Sequence, residues 1–312
     1  MTEKNFNDNS IVVSISCITY NHAPYIRQCL DGFMMQQTNF AFEVLIHDDA
    51  STDGTTDIIK EYEAKYPDII KPIYEEENQW VKGRRGSAVF NFPRAKGKYI
   101  ALCEGDDYWT DPLKLQKQVD FLKKNPAYSM CFHGARVDSF IEKDKCLSCE
   151  NIEERDYSAN ELFVCWTVPT ASIVFNAECV NYPLVKEDLF LNGDIRIILV
   201  ASKVGLIRGM SSIMSVYRMH MGGVSYNPLI QEDRCKKYPN HFKAIKANFD
   251  NIDTNVINER LARSYINRAK IHRNLCFRIF DYFRAICYFP KKELLKSIFR
   301  VSMNYLSNMT KN

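Results

Sequence analysis

The stretch Ile11-Val-Val-Ser-Ile-Ser-Cys-Ile18, with the segments that follow it, decides the fold class. Its β-branched and apolar residues are typical of a buried strand, and residues 19–24 after it have the composition of a turn. From Tyr25 to Met35 the apolar residues then recur at helical spacing. The order strand, turn, helix indicates the first half of a βαβ unit.

The same order repeats further along the chain. Residues 42–47 form a second predicted strand, residues 48–54 a loop, and residues 55–65 a helix with one apolar face. Further strands are predicted at 69–74, 99–103, 129–132, 171–175 and 214–217, and further helices at 111–124 and 195–204. Pro72 predicts an edge strand, because proline cannot donate the hydrogen bond that a central strand needs. Alternating strands and helices predict a three-layer αβα domain with a mostly parallel central sheet.

Polar clusters follow three of the predicted strands. They lie at residues 19–21, 48–53 and 104–107. Ligands of such sheets bind at the carboxyl ends of the strands, which meet at one edge. The sequence therefore predicts a binding site in which these three clusters come together.

Two common phosphate-binding motifs are missing from the sequence. The first predicted strand is not followed by GxGxxG, and the chain has no GxxxxGK followed by Ser or Thr, which argues against a dinucleotide site and a P-loop. A divalent cation held by oxygen ligands can bind phosphate instead. Glu104, Asp106 and Asp107 at a strand end suit this role, so Mg²⁺ or Mn²⁺ is the predicted cofactor.

Composition is typical of a globular protein in a reducing compartment. A chain of 312 residues with 46% hydrophobic content can form one large domain and an appendage. Its eleven cysteines are an odd number and are scattered, often in apolar runs, as in cytosolic proteins. The polar N-terminus lacks the apolar core of a signal peptide, and no run reaches the ~20 apolar residues that span a bilayer. We therefore expect a cytoplasmic protein.

The C-terminal part is basic and aromatic. From Arg260 onward the chain has twelve Lys or Arg residues and two acidic ones. Predicted helices at 277–289 and 294–306 mix bulky apolar residues with Lys and Arg, which is typical of helices in a membrane interface. The alternative is a helical bundle that packs on the α/β domain with a solvated basic face. No nucleic-acid-binding module is recognisable, so we expect no nucleic acid partner.

Four segments resemble successive motifs of family 2 glycosyltransferases with the GT-A fold. They follow that family's order and approximate spacing, and the resemblance covers about residues 11–225. It implies a GT-A-type domain, an inverting mechanism, a nucleotide-diphosphate sugar donor, and Mg²⁺ or Mn²⁺. The segments are Val13-Ser-Ile-Ser-Cys-Ile-Thr-Tyr-Asn21, Glu43-Val-Leu-Ile-His-Asp-Asp-Ala-Ser-Thr-Asp-Gly-Thr55, Ala95-Lys-Gly-Lys-Tyr-Ile-Ala101 and Glu104-Gly-Asp-Asp-Tyr-Trp109.

The resemblance also implies a donor site. Tyr20 resembles the residue that packs on the base, and Asp48 resembles the acid that hydrogen-bonds the uracil ring. The donor-binding residues implied in this way are Tyr20, Asn21, Asp48, Asp49, Ser51, Asp53, Glu104 and Arg218. Of these, Arg218 belongs to Tyr217-Arg-Met-His-Met-Gly-Gly-Val-Ser225, which is similar to the family's Arg-x-His segment, and its guanidinium suits a diphosphate.

The metal ligands implied by the family are acidic residues and a histidine. Residues 104–106 resemble the family's DxD motif with Glu104 in place of the first Asp, a position that contacts the ribose, a metal-bound water or the metal. Asp106 is the implied metal ligand. Asp107 either adds a ligand or orders the loop before the next helix. His220 is implied as a further metal or phosphate ligand, with a structural hydrogen bond as the alternative.

An inverting enzyme needs a base that deprotonates the acceptor hydroxyl. The segment Asn192-Gly-Asp-Ile195 resembles the one where the family places this acid, so Asp194 is the implied catalytic base. Gly193 stands where the family usually has a neighbouring acid. An Asp at the start of a helix is also a good cap, and this interpretation stays open.

The predicted function is therefore transfer of a sugar from a nucleotide-diphosphate donor, expected to be a UDP-sugar, to a saccharide or polyprenyl-linked saccharide. The expected setting is synthesis of a surface polysaccharide such as capsule, O-antigen or exopolysaccharide, at the cytoplasmic face of the inner membrane. The alternatives are a sugar nucleotidyltransferase, which needs a glycine-rich basic loop after the first strand, and a non-catalytic nucleotide-sugar-binding protein. The predicted domains are 1–229, with a donor half at about 11–125 and an acceptor half at about 126–229, and a basic helical region at 230–312.

Overall fold

The computed structural model describes residues 10–84, 86–139, 148–165, 167–185, 187–224, 227–272 and 274–290. The chain divides into two compact units. The first comprises Met1–Tyr182 and Gly193–His220, and the second comprises Pro183–Asn192 and Met221–Asn312.

A mixed sheet organises the first unit. Its strands in the described part of the chain have the order β3-β2-β1-β4-β7-β6-β8-β5. Four of the seven neighbouring pairs are parallel, which agrees with the predicted mostly parallel sheet. The strands are β1 (Ile11–Thr19), β2 (Ala41–Asp48), β3 (Ile70–Tyr74), β4 (Tyr99–Leu102), β5 (Tyr108–Trp109), β6 (Tyr128–Ser139), β7 (Val174–Asn176) and β8 (Leu206–Met219).

Helices connect these strands. The α-helices of the first unit are α1 (Ile26–Met34), α2 (Thr55–Lys65), α3 (Ser87–Phe90), α4 (Lys114–Lys124), α5 (Ala159–Val164) and α6 (Gly193–Val204). Short 3-10 helices lie at Phe92–Arg94, Ser148–Glu150, Thr170–Ser172 and Ala177–Asn181. The predicted pattern of β1, α1, β2, α2 and β3 is confirmed, and β3 with Pro72 is an edge strand as predicted.

The core of the first unit forms around β1. This strand pairs in parallel with β2 on one side and β4 on the other, so its residues Val13, Ile15 and Cys17 are fully buried. Ser14 and Ser16 between them are also buried, so the strand is covered on both faces. Phe33 of α1 packs edge-on against Trp109, whose indole N–H donates to the Ala171 carbonyl at 2.8 Å. This core fixes the carboxyl end of β1, where the first polar cluster begins.

Strands β5, β6 and β8 differ most from the prediction. Strand β5 was not predicted, and its two residues pair with Val216 and Ser215 of β8. Strands β6 and β8 are much longer than predicted, because they pair in parallel over most of their length through irregular register. Their polar ends have no alternating pattern, so only the pairing extends them.

The second unit is helical where it is described. It contains α7 (Pro228–Asn248), α8 (Thr254–Ile271), α9 (Leu275–Tyr288) and a 3-10 helix at Glu187–Leu189. Helices α8 and α9 share a core that includes Leu261, Tyr265 and Tyr282. Predicted residues 291–312 of the helical tail lie outside the described residues. None of the described helices combines the length and apolar character that crossing a membrane requires.

Candidate functional site

Asp48 anchors the loop after β2. It is the last residue of the strand and is 1% exposed. One carboxylate oxygen accepts hydrogen bonds from the backbone N–H and hydroxyl of Ser51, and the other accepts from the Thr56 hydroxyl. A carboxylate has about four acceptor positions, so Asp48 keeps capacity for a donor such as a ring N–H.

The loops after β1 and β2 are tied together by hydrogen bonds. The backbone N–H of Asn21 donates to the Ser51 hydroxyl at 2.9 Å, and the Asn21 side-chain oxygen accepts from the Thr52 N–H at 2.8 Å. Asn21 has a φ of 54°, in the left-handed region that asparagine tolerates better than most residues. Asp53 accepts from the N–H of Ala23 at 2.9 Å. The two predicted clusters therefore form one structure.

Asp49 connects this structure to a third segment. Its carboxylate accepts from the backbone N–H groups of Gln79 at 2.6 Å and Trp80 at 3.2 Å. Tyr20, by contrast, is 45% exposed at the end of β1, and Glu104 is also exposed. The acids at 48, 49 and 53 thus shape the loops, whereas Tyr20 and Glu104 present side chains to solvent.

Two histidines converge on Asp106. The Nε2 atom of His220 lies 3.1 Å from Asp106 Oδ2, and the Nε2 atom of His22 lies 3.7 Å from the same oxygen. One ligand atom from each residue lies within 4.8 Å of the other two, the spacing of a possible metal site. Among the described residues this is the group of His, Cys, Asp and Glu side chains that meets this spacing.

The Asp106 carboxylate carries the negative charge that both histidines face. Burial alone raises the pKa of Asp106, but the neighbouring His22 and His220 outweigh it, and the pKa lies below the ordinary value. Burial lowers the pKa of His22, although Asp106 opposes the shift. An ionised carboxylate beside imidazole nitrogens is a ligand set that several divalent cations bind.

Asp107 points into a different environment. It is buried, and its Oδ1 atom accepts from the backbone N–H of Arg218 at 2.8 Å. Burial and the charge of Asp106 raise the pKa of Asp107 well above its ordinary value. The carboxyl group thus ties the acidic loop to β8, and it is not part of the group formed by Asp106, His220 and His22.

Arg218 holds the acidic loop from the other side. It is 7% exposed, and its guanidinium donates to the Asp106 carbonyl oxygen at 2.6 Å and to the Gln28 side chain. The guanidinium carbon also lies 4.3 Å from the ring centre of Tyr108. These contacts fix the backbone of Asp106. The predicted contact of Arg218 with a diphosphate stays a prediction.

Asp194 lies in the first turn of α6. Its Oδ1 atom accepts from the backbone N–H of Ile195 at 2.8 Å, so the carboxylate interacts with the start of the helix. The structure thus gives Asp194 the helix-terminal position that the sequence predicted. Its role as the base stays a prediction.

His22 is the member of the site that the sequence did not single out. Its segment was interpreted as a turn, and a single histidine in a turn has no pattern of its own. The available signal was its position: it follows the first strand at the sheet edge where Asp106 was expected.

A family model now decides the identity. The glycosyl transferase family 2 model matches residues 14–172, about half of the chain. The chain belongs to glycosyl transferase family 2. The match spans both the loop at Asp48 and the loop at Asp106.

Two relatives show the range of the family. An uncharacterised protein of Mycobacterium tuberculosis is 39% identical over 220 residues, which cover 68% of this chain and 60% of the relative. The chain thus spans less than two thirds of that relative's length. The Escherichia coli protein WfaP, named a UDP-Glc:alpha-D-GlcNAc-diphosphoundecaprenol beta-1,3-glucosyltransferase, is 27% identical over 222 residues, which cover 69% of this chain and 80% of WfaP.

Solved structures agree on the fold. TarS of S. aureus, in complex with UDP-GlcNAc, has a TM-score of 0.60 at 16% identity and covers 93% of this chain and 83% of its own. The mannosyltransferase PcManGT from Pyrobaculum calidifontis, in complex with GDP-Man and Mn²⁺, has a TM-score of 0.54 at 16% identity and covers 96% of this chain and 88% of its own. The predicted GT-A-type α/β fold with a C-terminal helical region is confirmed.

Proposed function

We propose that this family 2 glycosyltransferase is an inverting, metal-dependent enzyme that transfers a sugar from a UDP-sugar to a saccharide hydroxyl. The supporting observation is a continuous network at the carboxyl edge of the sheet. Asp48 contacts Ser51, Ser51 contacts Asn21, and the next residue, His22, lies beside Asp106. The loop proposed to bind the nucleotide and the proposed metal centre are thereby connected.

The metal site fits the predicted cofactor. Asp106 and His220 offer one carboxylate oxygen and one imidazole nitrogen 3.1 Å apart, and Mn²⁺ or Mg²⁺ with a diphosphate completes such a set. When bound, the cation neutralises the charge that develops on the leaving diphosphate. We keep Asp107 outside the ligand set because its carboxyl group accepts from the Arg218 N–H.

Asp194 supplies the base in this proposal. It accepts the proton of the acceptor hydroxyl while that oxygen bonds to the anomeric carbon. The bond from the anomeric carbon to the diphosphate breaks on the opposite face, and its electron pair leaves with the diphosphate. Tyr20 stacks on the base of the nucleotide, and Glu104 faces the ribose or a water on the cation.

The acceptor is proposed to be a saccharide or a polyprenyl-linked saccharide in surface polysaccharide biosynthesis. The name of WfaP describes a diphosphoundecaprenol acceptor, and this supports the class of substrate. We propose that residues 1–229 form the catalytic domain and that 230–312 form its helical appendage.

Helix α9 is the surface by which we propose that the protein contacts the membrane, on the cytoplasmic face. Its side chains Phe277, Ile279, Phe280 and Phe283 are between 51% and 63% exposed, and the chain around them is strongly basic. We propose that this face lies on an anionic bilayer. The full chain should co-sediment with phosphatidylglycerol vesicles, and Phe280→Asp with Phe283→Asp should release it. Equal sedimentation of the variant, or none of the wild type, rejects this location.

A donor panel tests the activity. The full chain with Mn²⁺ is incubated with UDP-sugars and GDP-mannose, and release of the nucleotide is measured with and without saccharide acceptors. We expect release from at least one UDP-sugar that depends on Mn²⁺. Neither release nor nucleotide binding with any donor rejects a glycosyltransferase, and pyrophosphate-dependent conversion of the UDP-sugar to UTP and sugar 1-phosphate favours a nucleotidyltransferase.

A further inference from the structure

We propose that His22 is a third protein ligand of the metal, so that the site binds Mn²⁺, Co²⁺ or Zn²⁺ in preference to Mg²⁺ and binds them without a nucleotide. This inference rests on the proposed metal-dependent function and deepens it. His22 lies in the turn after β1, outside both the acidic motif and the Arg-x-His segment.

The first argument is the direction of the ring nitrogens. The Nε2 atoms of His22 and His220 both face Oδ2 of Asp106, at 3.7 Å and 3.1 Å. The two imidazole rings are 6.1 Å apart between centres and nearly perpendicular. Three ligand atoms within 4.8 Å of one another surround a volume that suits one cation.

The second argument is the partner of the other ring nitrogen. His22 Nδ1 lies 3.1 Å from the Thr19 hydroxyl. In the tautomer with the proton on Nδ1, the ring donates to Thr19 and presents the lone pair of Nε2 to the metal. Histidine ligands of metals commonly donate their second N–H to such an oxygen, which fixes the ring and the tautomer.

The backbone of His22 is equally well fixed. Its N–H donates to the Thr55 hydroxyl at 2.8 Å, and its carbonyl accepts from the N–H groups of Tyr25 and Ile26, both at 2.8 Å. These hydrogen bonds hold the residue in the turn before α1 without help from a ligand. A site with such a preorganised ligand binds metal at a lower entropic cost.

Gly105 makes room for this arrangement. A Cβ atom at this position would lie 2.6 Å from the Thr19 hydroxyl oxygen and 3.0 Å from His22 Nδ1. The glycine between Glu104 and Asp106 therefore lets the pair of Thr19 and His22 approach the acidic loop.

The donor set determines the metal preference. Mg²⁺ prefers oxygen ligands in octahedral geometry, whereas imidazole nitrogen binds the later first-row metals more strongly. A site with one carboxylate and one imidazole relies on the diphosphate for much of its affinity. A second imidazole raises the affinity of the protein alone and shifts the preference away from Mg²⁺.

Metal titration of the full chain, freed of metal with EDTA and without nucleotide, tests the inference. By calorimetry, Co²⁺ and Mn²⁺ should bind at least about tenfold more tightly than Mg²⁺. His22→Phe keeps a ring of similar shape and should lower the Co²⁺ affinity at least about 100-fold, and Thr19→Val by about tenfold or more. The control His272→Phe removes a histidine of the helical unit. It should change neither the Co²⁺ affinity nor the preference for Co²⁺ over Mg²⁺. Equal Co²⁺ affinity in wild type and His22→Phe overturns the inference.

X-ray absorption of the Co²⁺-loaded wild type provides a test that does not depend on a variant. Two imidazole ligands are expected per metal, and one or none overturns the inference. Donor turnover is measured separately: a chain that binds Co²⁺ through two imidazoles but releases no nucleotide contradicts the proposed activity and leaves the ligand assignment standing. A chain that turns over the donor but has one imidazole on the metal contradicts the ligand assignment and leaves the proposed activity standing.

Discussion

At the scale of the residue, Lys114 shows how burial changes the charge of a side chain. It is fully buried in α4, where its ammonium nitrogen lies 2.8 Å from the Gln118 side-chain oxygen and 4.0 Å from the ring centre of Trp109. Burial lowers the pKa of Lys114 to about 7. The unfolded chain still binds the proton up to about pH 10.5, so between these values the folded state is destabilised as pH falls.

Lys114→Met should therefore stabilise the protein increasingly as the pH decreases. Between pH 9.5 and 7.5 we expect the difference in free energy of unfolding between variant and wild type to grow by about 2 kcal/mol in favour of the variant. Urea denaturation at several pH values measures it. Lys117→Met, on the exposed side of the same helix, is the control and should follow the wild type. Parallel stability curves for Lys114→Met and wild type would show that the lysine keeps an ordinary pKa.

Some residues of the candidate site could be predicted from the sequence, and others could not. The polar clusters after β1, β2 and β4 were predictable because their strands are apolar runs that stop abruptly at polar residues. His22 was not, because its role depends on Asp106 and His220, which are distant in sequence. The contact of Asp107 with Arg218 likewise arises only from the pairing of strands.

At the scale of the element, Asp194 at the start of α6 has a structural role in the helix and a proposed role as the base. A substitution can separate the two. Asp194→Asn keeps an oxygen that can accept from the Ile195 N–H, so the helix should form normally. If Asp194 is the base, kcat should fall by about 10²–10⁴-fold while UDP affinity stays within about twofold. Asp57→Asn, an exposed acid in the first turn of α2, is the matched control. Full turnover of Asp194→Asn would remove Asp194 from catalysis.

Helix α7 carries a buried histidine that should make the second unit sensitive to acid. His241 Nδ1 accepts from the Leu191 N–H at 3.3 Å, which requires an unprotonated nitrogen. Burial lowers the pKa of His241 to about 4. The unfolded chain binds the proton near pH 6.5, so stability falls as the pH decreases from about 6.5 to 4.

The size of this effect can be measured with His241→Phe. Between pH 7 and 4.5 the wild type should lose about 2 kcal/mol more of its free energy of unfolding than the variant does. Urea denaturation followed by circular dichroism at 222 nm, where helices dominate, gives both values. His272→Phe serves as the control, and an identical pH dependence in wild type and His241→Phe contradicts the assignment.

The helices and strands with the clearest periodicity of apolar residues were predicted best. The helices α1, α2, α4 and α6 and the strands β1 to β4 carry clear periodicity and lie close to their predicted positions. Strand β5 has two residues, too few for any period, and the ends of β6 and β8 are defined by each other. Sequence patterns report local propensity and burial, and these three strands depend on pairing.

At the scale of the whole molecule, the family and the fold followed from four motifs in the family's order, and the proposed metal site from the strand ends. The donor sugar, the acceptor and the linkage depend on side chains that have no common pattern. The central claim is that the loops at Asp48 and Asp106 form one nucleotide site that a divalent metal completes.

Calorimetric titration with UDP, in Mn²⁺ and in EDTA, tests this claim most directly. The wild type should bind UDP at least about tenfold more tightly in Mn²⁺ than in EDTA, and Asp106→Asn should bind it equally weakly in both. Asp120→Asn, remote in sequence from the acidic loop, should behave as the wild type. Absence of UDP binding by the wild type in Mn²⁺, or an unchanged Mn²⁺ effect in Asp106→Asn, would contradict it.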